Sequence, residues 1–403
     1  MFKDFLLFLF LMFVLAALVR EDFVFTIFYL MAGAYLVGGW WFRKSIDAIS
    51  FKRIFDSRAF LDEEVPVTLE IENKSWLPAL WLRVYDGVPV DLSINKALKQ
   101  IVSLPPYGRF HSTYYLQARK RGYYKIGPVF ASAGDLLGLH DDRQSLGAAD
   151  YLTVYPRIIP LTHLKLPSNS PMGTMRHTQP IFEDPNRVLS KRDYVAGDSL
   201  RRVDWKATAT TGRLQVKQFE PSIALETVIF LNLNSLEYEL RSRFDTSELA
   251  IVIAASIANW VTSKKQSIGM FTNGLDPLGS EDGDITSNMP LAQALPARKG
   301  RGHLMRILDI LARIQMGESL SFVELLRRNY LNLPWGTTLV LVTSQADDEL
   351  FDILFQVRRA GLNLVLILTG DLPYIQEIRR RAEYFDIPVY SIRTERELDI
   401  WRR

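Results

Sequence analysis

The chain has 403 residues, a formal net charge of +3 and 48% hydrophobic residues, and it contains no cysteine. That length accommodates two folded domains, and the nearly balanced charge points away from nucleic acid as a partner. The missing cysteines exclude disulfides, thiol catalysis and Cys-ligated zinc, and no two of the five His form a helical i, i+4 ligand pair.

Residues 5–19 and 23–42 are two uncharged apolar runs separated by Arg20-Glu21-Asp22. A helix needs about 20 apolar residues to cross a bilayer. The second run meets this length, and the first is short. Trp40, Trp41 and Phe42 end the second run, where aromatic rings favour the interface, and Arg43, Lys44, Lys52 and Arg53 follow. By the positive-inside rule this flank faces the cytoplasm. The expectation for 1–44 is a transmembrane hairpin. The chain is then a multi-pass protein of the inner (cytoplasmic) membrane with its soluble domains facing the cytoplasm.

Residues 57–160 are expected to form a β domain. Val65, Val67, Leu69 and Ile71 alternate with Pro66, Thr68, Glu70 and Glu72, the period of a half-buried strand. Further strands are expected at 80–84, 100–104, 110–118, 123–131 and 151–155. Six or seven short strands over this length suggest an immunoglobulin-like β-sandwich without the cysteine pair. Trp76 and Trp81 are expected in its core or on a sheet surface, and 135–139 is expected as a turn with an edge segment.

Residues 161–225 read as a linker and a polar motif segment. From 161 to 190 periodicity is lost and prolines recur. Between Lys191 and Lys217 there are seven Lys/Arg against three Asp, with Tyr194 and Trp205 among them. A charged linker is the plain reading. Arg and Trp together also mark interface anchors. The candidate partner-binding residues are Tyr194, Asp198, Arg201, Arg202, Asp204, Trp205, Lys206, Arg213 and Lys217. Asp198 and Asp204 are expected to pair with Arg201 or Lys206 and shape the loop.

Residues 226–403 alternate short buried strands with amphipathic helices. Strands are expected at 227–231, 267–272, 338–342, 364–368 and 388–392. Helices are expected at 246–263, 304–314, 322–330, 347–359 and 373–384. This is the pattern of a mainly parallel sheet covered on both faces. Ligands of such sheets bind beyond the strand carboxyl ends, here Asn232, Asn234, Ser235, Thr343 and Ser344. Neither a dinucleotide fingerprint nor a Walker sequence occurs.

With these residues in place, the chain resembles the bacterial domain-of-unknown-function 58 family of membrane-anchored proteins. The resemblance rests on the N-terminal hairpin, on residues 119–139, and on Tyr194, Gly197, Asp198, Arg201, Asp204, Trp205, Lys206, Ala209, Lys217 and Phe219. Thr210 stands where the family pattern has an arginine. The resemblance implies a C-terminal domain similar to von Willebrand factor A domains, whose strand ends bind a divalent metal. The matching positions hold Asn232, Asn234 and Leu236, then Thr343-Ser344-Gln345, so both carboxylates are missing. Hard cations want charged oxygen ligands. No cofactor is expected, and at most weak Mg²⁺ binding. The resemblance further implies work beside a MoxR-type AAA+ ATPase in the assembly or maturation of protein complexes. The expected function is a non-enzymatic membrane adaptor or scaffold with protein clients. The alternatives are a divalent-metal-dependent binding module, or a hydrolase using Asp198, Asp204 and Lys206.

Overall fold

The computed structural model describes residues 2–19, 22–92, 99–134, 141–162, 183–195, 197–221, 226–278 and 290–401. It divides into two compact units, Met1–Pro156 and Arg157–Arg403, and each is described by itself.

The first unit opens with helix α1 (Phe2–Val19) and helix α2 (Asp22–Ile46). Asp22 lies in the first turn of α2, and Arg43 and Lys44 lie in its last, each at the end its charge favours. The two helices run antiparallel. Phe5 stacks on Tyr35 and Phe13 meets Phe28, each pair at 5.4 Å between ring centres. As the number rises on one helix it falls on the other. Most of the large apolar side chains along both helices face outward. An outward apolar surface of this extent suits a lipid environment.

Ten strands follow: β1 (Ile49–Ile54), β2 (Arg58–Phe60), β3 (Glu64–Asn73), β4 (Ala79–Asp86), β5 (Lys99–Leu104), β6 (Arg109–Gln117), β7 (Gly122–Ile126), β8 (Val129–Gly134), β9 (Asp141–Leu146) and β10 (Asp150–Tyr155). They form three sheets, ordered β1-β3-β6, β2-β10-β7 and β5-β4-β8-β9. The alternation read along β3 is real: Val65, Val67, Leu69 and Ile71 are all buried. Leu69 and Ile71 pack with Leu82, Val84, Val102 and Ala131 of the four-stranded sheet. Val65, Val67 and Leu116 pack with Ile126, Leu152 and Val154 of the β2-β10-β7 sheet. Each such burial contributes about 1.5–3 kcal/mol relative to exposure. The result is a two-layer β-sandwich in which β3 shares both cores.

Three expectations are corrected here. The β domain begins at β1, upstream of residue 57, because Ile49 pairs with Asn73 and continues the β3 sheet. The single strand expected at 123–131 is two strands, β7 and β8, broken at Gly127-Pro128; Gly127 adopts φ +92°, which no strand continues through. Strands β1, β2 and β9 carry no clean alternation and were not anticipated. Trp76 is exposed, and Trp81 is half-buried beneath the Arg83 guanidinium. The expected turn at 135–139 lies outside the described residues.

The second unit contains a hairpin followed by an α/β domain. The hairpin is β11 (Glu183–Asp193), helix α3 (Trp205–Thr211) and β12 (Gln215–Pro221). The segment expected as linker therefore holds regular structure from residue 183 onward. The part at 163–182 lies outside the described residues.

The α/β domain comprises β13 (Glu226–Leu231), α4 (Arg243–Ser263), β14 (Ser267–Thr272), β15 (Leu295–Arg298), α5 (Arg301–Arg313), α6 (Phe322–Asn329), β16 (Thr338–Thr343), α7 (Asp348–Arg359), β17 (Asn363–Thr369), α8 (Ile375–Tyr384) and β18 (Val389–Ile392). The sheet order is β15-β14-β13-β16-β17-β18, parallel except for edge strand β15. Numbered from the first strand this is 3-2-1-4-5-6, the doubly wound order. Strands β16 and β17 are buried at every position, which explains their unbroken apolar runs. Helix α4 is apolar and long enough to cross a bilayer, but it is mostly buried against the sheet, as a core helix is. It starts at Arg243, three residues before the expected start at 246. Strand β15 is too short and irregular to be read from sequence.

Candidate functional site

Two places carry the residues singled out above. The first is the loop and helix that cap the β11-β12 hairpin. Lys191 lies opposite Lys217, Arg192 opposite Val216 and Asp193 opposite Gln215. Between them the chain turns at Gly197 (φ +111°), makes one 3-10 turn at Leu200–Arg202, and enters α3. Asp204 starts α3: its Oδ1 accepts from the Lys206 N–H at 3.1 Å and the Ala207 N–H at 3.2 Å. This is the N-cap arrangement. Gly212, in the left-handed region at φ +67°, ends the helix.

The acids pair differently from expectation. Asp198 receives both terminal nitrogens of Arg192, each at 2.7 Å, and the Val195 N–H at 3.0 Å. Asp204 pairs with the Lys191 Nζ at 2.9 Å. Asp193 accepts from the Gln215 side-chain amide. Neither Arg201 nor Lys206 is the partner, because the strand pair brings Lys191 and Arg192 alongside the loop. The Arg192 and Val195 donors hold the Asp198 carboxyl below the usual range. The Lys191 and Ala207 donors do the same for Asp204. Both acids are thus held as anions, the wrong state for a general acid at neutral pH.

What remains faces outward. Trp205 is 68% exposed and Leu200 66% exposed, and Arg201, Arg202, Lys206 and Arg213 are exposed with them. Tyr194 and Lys217 are half-buried; the Tyr194 N–H donates to the Leu214 carbonyl, a hairpin bond. Thr210 is exposed, and its hydroxyl bonds back to the Lys206 carbonyl at 3.0 Å.

The second place is the end of β13 and β16, at the topological switch point of the sheet. Asn232 is fully buried. Its Nδ2 donates to the Glu237 carboxylate at 2.7 Å and to the Thr343 hydroxyl at 3.0 Å. Its Oδ1 accepts from the Asn234 N–H at 3.1 Å and from the Asn273 amide at 2.9 Å. The Asn234 side chain donates to Glu237 at 3.1 Å, and the Phe322 N–H donates to the same oxygen at 3.0 Å. The Ser344 hydroxyl donates to the Glu237 carbonyl at 2.7 Å. Ser235 contributes its backbone N–H, bonded to the Gly317 carbonyl at 2.9 Å.

This donor set does not fit a divalent cation. The backbone N–H of Asn234 requires an oxygen opposite it, which fixes the orientation of the Asn232 amide. Its nitrogen therefore points at the site, as does that of Asn234. Nitrogen donors surround a carboxylate here, the inverse of the oxygen cage a hard cation needs. Glu237, Asn273 and the Phe322 N–H were not anticipated. Glu237 follows Asn232 by five residues on a one-turn helix, a spacing no periodicity reveals.

A third concavity, of about 330 Å³, opens between the β16-α7 and β17-α8 loops. Two of its three acids are engaged: Asp347 caps α7 at the Leu350 N–H, and Asp348 pairs with Arg381.

The hairpin cap and the first half of the α/β domain together define a recognised class of segment. Residues 190–324 match the family described as protein of unknown function DUF58. Among curated proteins the chain is 26% identical over 218 residues to the uncharacterized protein YeaD of Bacillus subtilis (strain 168), covering 53% of this chain and 52% of that protein. The chain thus spans about half the length of that relative. Among solved structures, a von Willebrand factor type A protein from Catenulispora acidiphila aligns over 47% of this chain and 42% of its own, at 12% identity and a TM-score of 0.32. The CARDB domain of the PF1109 protein from Pyrococcus furiosus aligns over 26% of this chain and 86% of its own, at 12% identity and a TM-score of 0.21. The doubly wound assignment rests on the strand order above and not on these likenesses.

Proposed function

We propose that this protein is a membrane-anchored protein-interaction module without catalytic chemistry of its own. In this reading α1 and α2 cross the inner membrane. The immunoglobulin-like sandwich follows the membrane helices in the chain, and the hairpin cap binds a partner protein on the cytoplasmic side. The observation that carries the reading is the division of labour within the cap. Its acids are consumed in holding its own shape, while Trp205, Leu200, Arg201 and Arg213 face outward. Trp and Arg are the residues that dominate interface energetics. The surplus of cations favours a partner with an acidic surface.

The partner class implied by the family resemblance is a MoxR-type AAA+ ATPase, and the role is adaptor or scaffold for its protein clients. The donor set at Asn232 argues for metal-free binding. The test is co-purification of the full chain with the ATPase from native membranes. Trp205→Ala and Arg201→Ala are each expected to lower recovery several-fold, and the double variant to abolish it. Unchanged recovery with the double variant removes the cap from the interface.

A further inference from the structure

The last turn of α2 is built into the β-sandwich. Phe42 and Ile46 are buried in the same core as Ile71, Leu82 and Val102. The Trp41 indole N–H donates to the Pro78 carbonyl at 3.1 Å. The Ala48 carbonyl accepts from the Lys74 N–H at 2.9 Å. The helix therefore reaches the sandwich with no flexible joint, and it fixes which end of the sandwich lies nearest the bilayer. That end is defined by register: Ile49 pairs with Asn73, Glu72 with Arg109, and Ala79 with Leu104. Its two loops are 74–78, between β3 and β4, and 105–108, between β5 and β6.

Both loops present an aromatic ring outward. Trp76 is 59% exposed and Tyr107 is 68% exposed. Neither ring is outward through looseness. Asn73, fully buried, donates to the carbonyls of Leu77 (2.8 Å) and Pro105 (3.1 Å) and accepts the Ser75 N–H. The Tyr107 N–H donates to the Ser75 carbonyl at 3.1 Å. One buried side chain thus ties the two loops into a platform, and Leu77 is buried beneath it while Trp76 is not. Lys74, Arg43 and Lys44 are exposed around it.

Depth follows from chain geometry. The apolar run 23–42 spans about 30 Å as a helix, the thickness of the hydrocarbon core. Trp41 then sits at its boundary, and Pro78 touches Trp41. Trp76 is two residues from Pro78, so at most about 7 Å of chain separates them. The headgroup layer on each side is of similar thickness, about 5–8 Å. Trp and Tyr rings with adjacent Lys and Arg are the residue types that settle in that layer.

We propose that loops 74–78 and 105–108 form a lipid-contacting foot, with Trp76 and Tyr107 seated among the headgroups beside Trp40 and Trp41. The foot rests on the reading that α2 spans the membrane. It makes the sandwich a fixed pedestal on the bilayer instead of a tethered domain.

Because the chain lacks cysteine, single-cysteine variants carry one label each. Nitroxide is attached in the full chain at Trp76→Cys, Tyr107→Cys, Leu36→Cys and Val90→Cys, in vesicles of phosphatidylethanolamine and phosphatidylglycerol. Leu36 is an outward residue of α2, 69% exposed; Val90, 90% exposed, follows β4 at the opposite end of the sandwich, roughly 25 Å away. Labels at 76 and 107 are expected to show several-fold lower accessibility to a water-soluble nickel chelate than the label at 90, with broadening by oxygen in the lipid. If 36 lies in lipid while 76 and 107 match 90, the foot is overturned and the spanning reading stands. If 36 is also aqueous, both are overturned.

Discussion

The β-sandwich and the hairpin cap use the same chemistry, a basic side chain on an aspartate, in opposite surroundings. In the sandwich, Arg53 is 3% exposed and Asp86 is 0% exposed in their side chains. The Arg53 guanidinium donates to both Asp86 oxygens, at 2.7 and 3.1 Å, and also to Asp150. Tyr114 adds its hydroxyl to Asp86 at 2.6 Å. Burial by itself would depress the Arg53 pKa, but the Asp86 and Asp150 contacts outweigh it and raise it. Burial and the Asp86 charge together push Tyr114 far above the ordinary tyrosine range. This hub joins β1, β4, β6 and β10. In the cap, the pairs Arg192–Asp198 and Lys191–Asp204 lie at the surface, with the basic partners 43% and 48% exposed. Water screens such pairs, so they shape a loop more than they stabilise a fold. The buried hub is a structural joint, and the exposed pairs are a scaffold for the side chains they leave outward.

Arg53→Ala tests the first half of this contrast and carries the largest effect. It strands Asp86 without a counter-charge, at a cost of about 3–5 kcal/mol. The thermal unfolding midpoint of the full chain in detergent should fall by many degrees. A midpoint unchanged from wild type would place the hub with the exposed pairs.

Asn232→Asp comes next and asks how a half-buried carboxylate is held without a cation. At present Glu237 is held by amide and backbone N–H donors. A second carboxylate at 232 replaces a donor by a repelling anion, costing about 3 kcal/mol or more at neutral pH. Millimolar Mg²⁺ should restore part of the midpoint of this variant and leave that of the wild type unmoved. A wild-type midpoint that rises with Mg²⁺ contradicts the amide orientation derived above.

Asp198→Ala is the smallest of the three. It should leave the unfolding midpoint nearly unchanged while lowering recovery of the partner. The pH dependence has a definite sign. The folded-state pKa values of Asp198 and Asp204 lie below the ordinary value of 3.8. Their contribution is fully present above the unfolded value and is lost only as pH falls through the depressed folded values. Carboxyl-carbon NMR should therefore show neither group titrating between about pH 5 and 8.

Most elements of the α/β domain were legible before any coordinates. Val340, Leu364 and their neighbours form runs that only a strand buried on both faces requires, and α5, α7 and α8 carry one-sided apolar patterns. The two apolar N-terminal runs were equally plain. Much of the site was not. Tyr194 through Lys217 could be read as a polar cluster holding Arg and Trp, because composition alone marks it; that Trp205 faces outward could not. The pairing of its acids could not, since Lys191 and Arg192 meet Asp204 and Asp198 only after β11 has found β12.

The sequence by itself determined where this chain is apolar, where it alternates and where it turns, because those are properties of neighbours a few residues apart. It also determined that the strand-end positions Asn232, Asn234, Thr343 and Ser344 carry no carboxylate. The tertiary structure decided what stands there, a carboxylate from Glu237 held by Asn232, Asn234 and the Phe322 N–H. It also decided that Arg53 would be buried against Asp86 and that Asn73 would lock two loops beside α2. The farthest of those contacts join residues 85, 33 and 32 positions apart, and only the folded chain brings them within hydrogen-bonding reach.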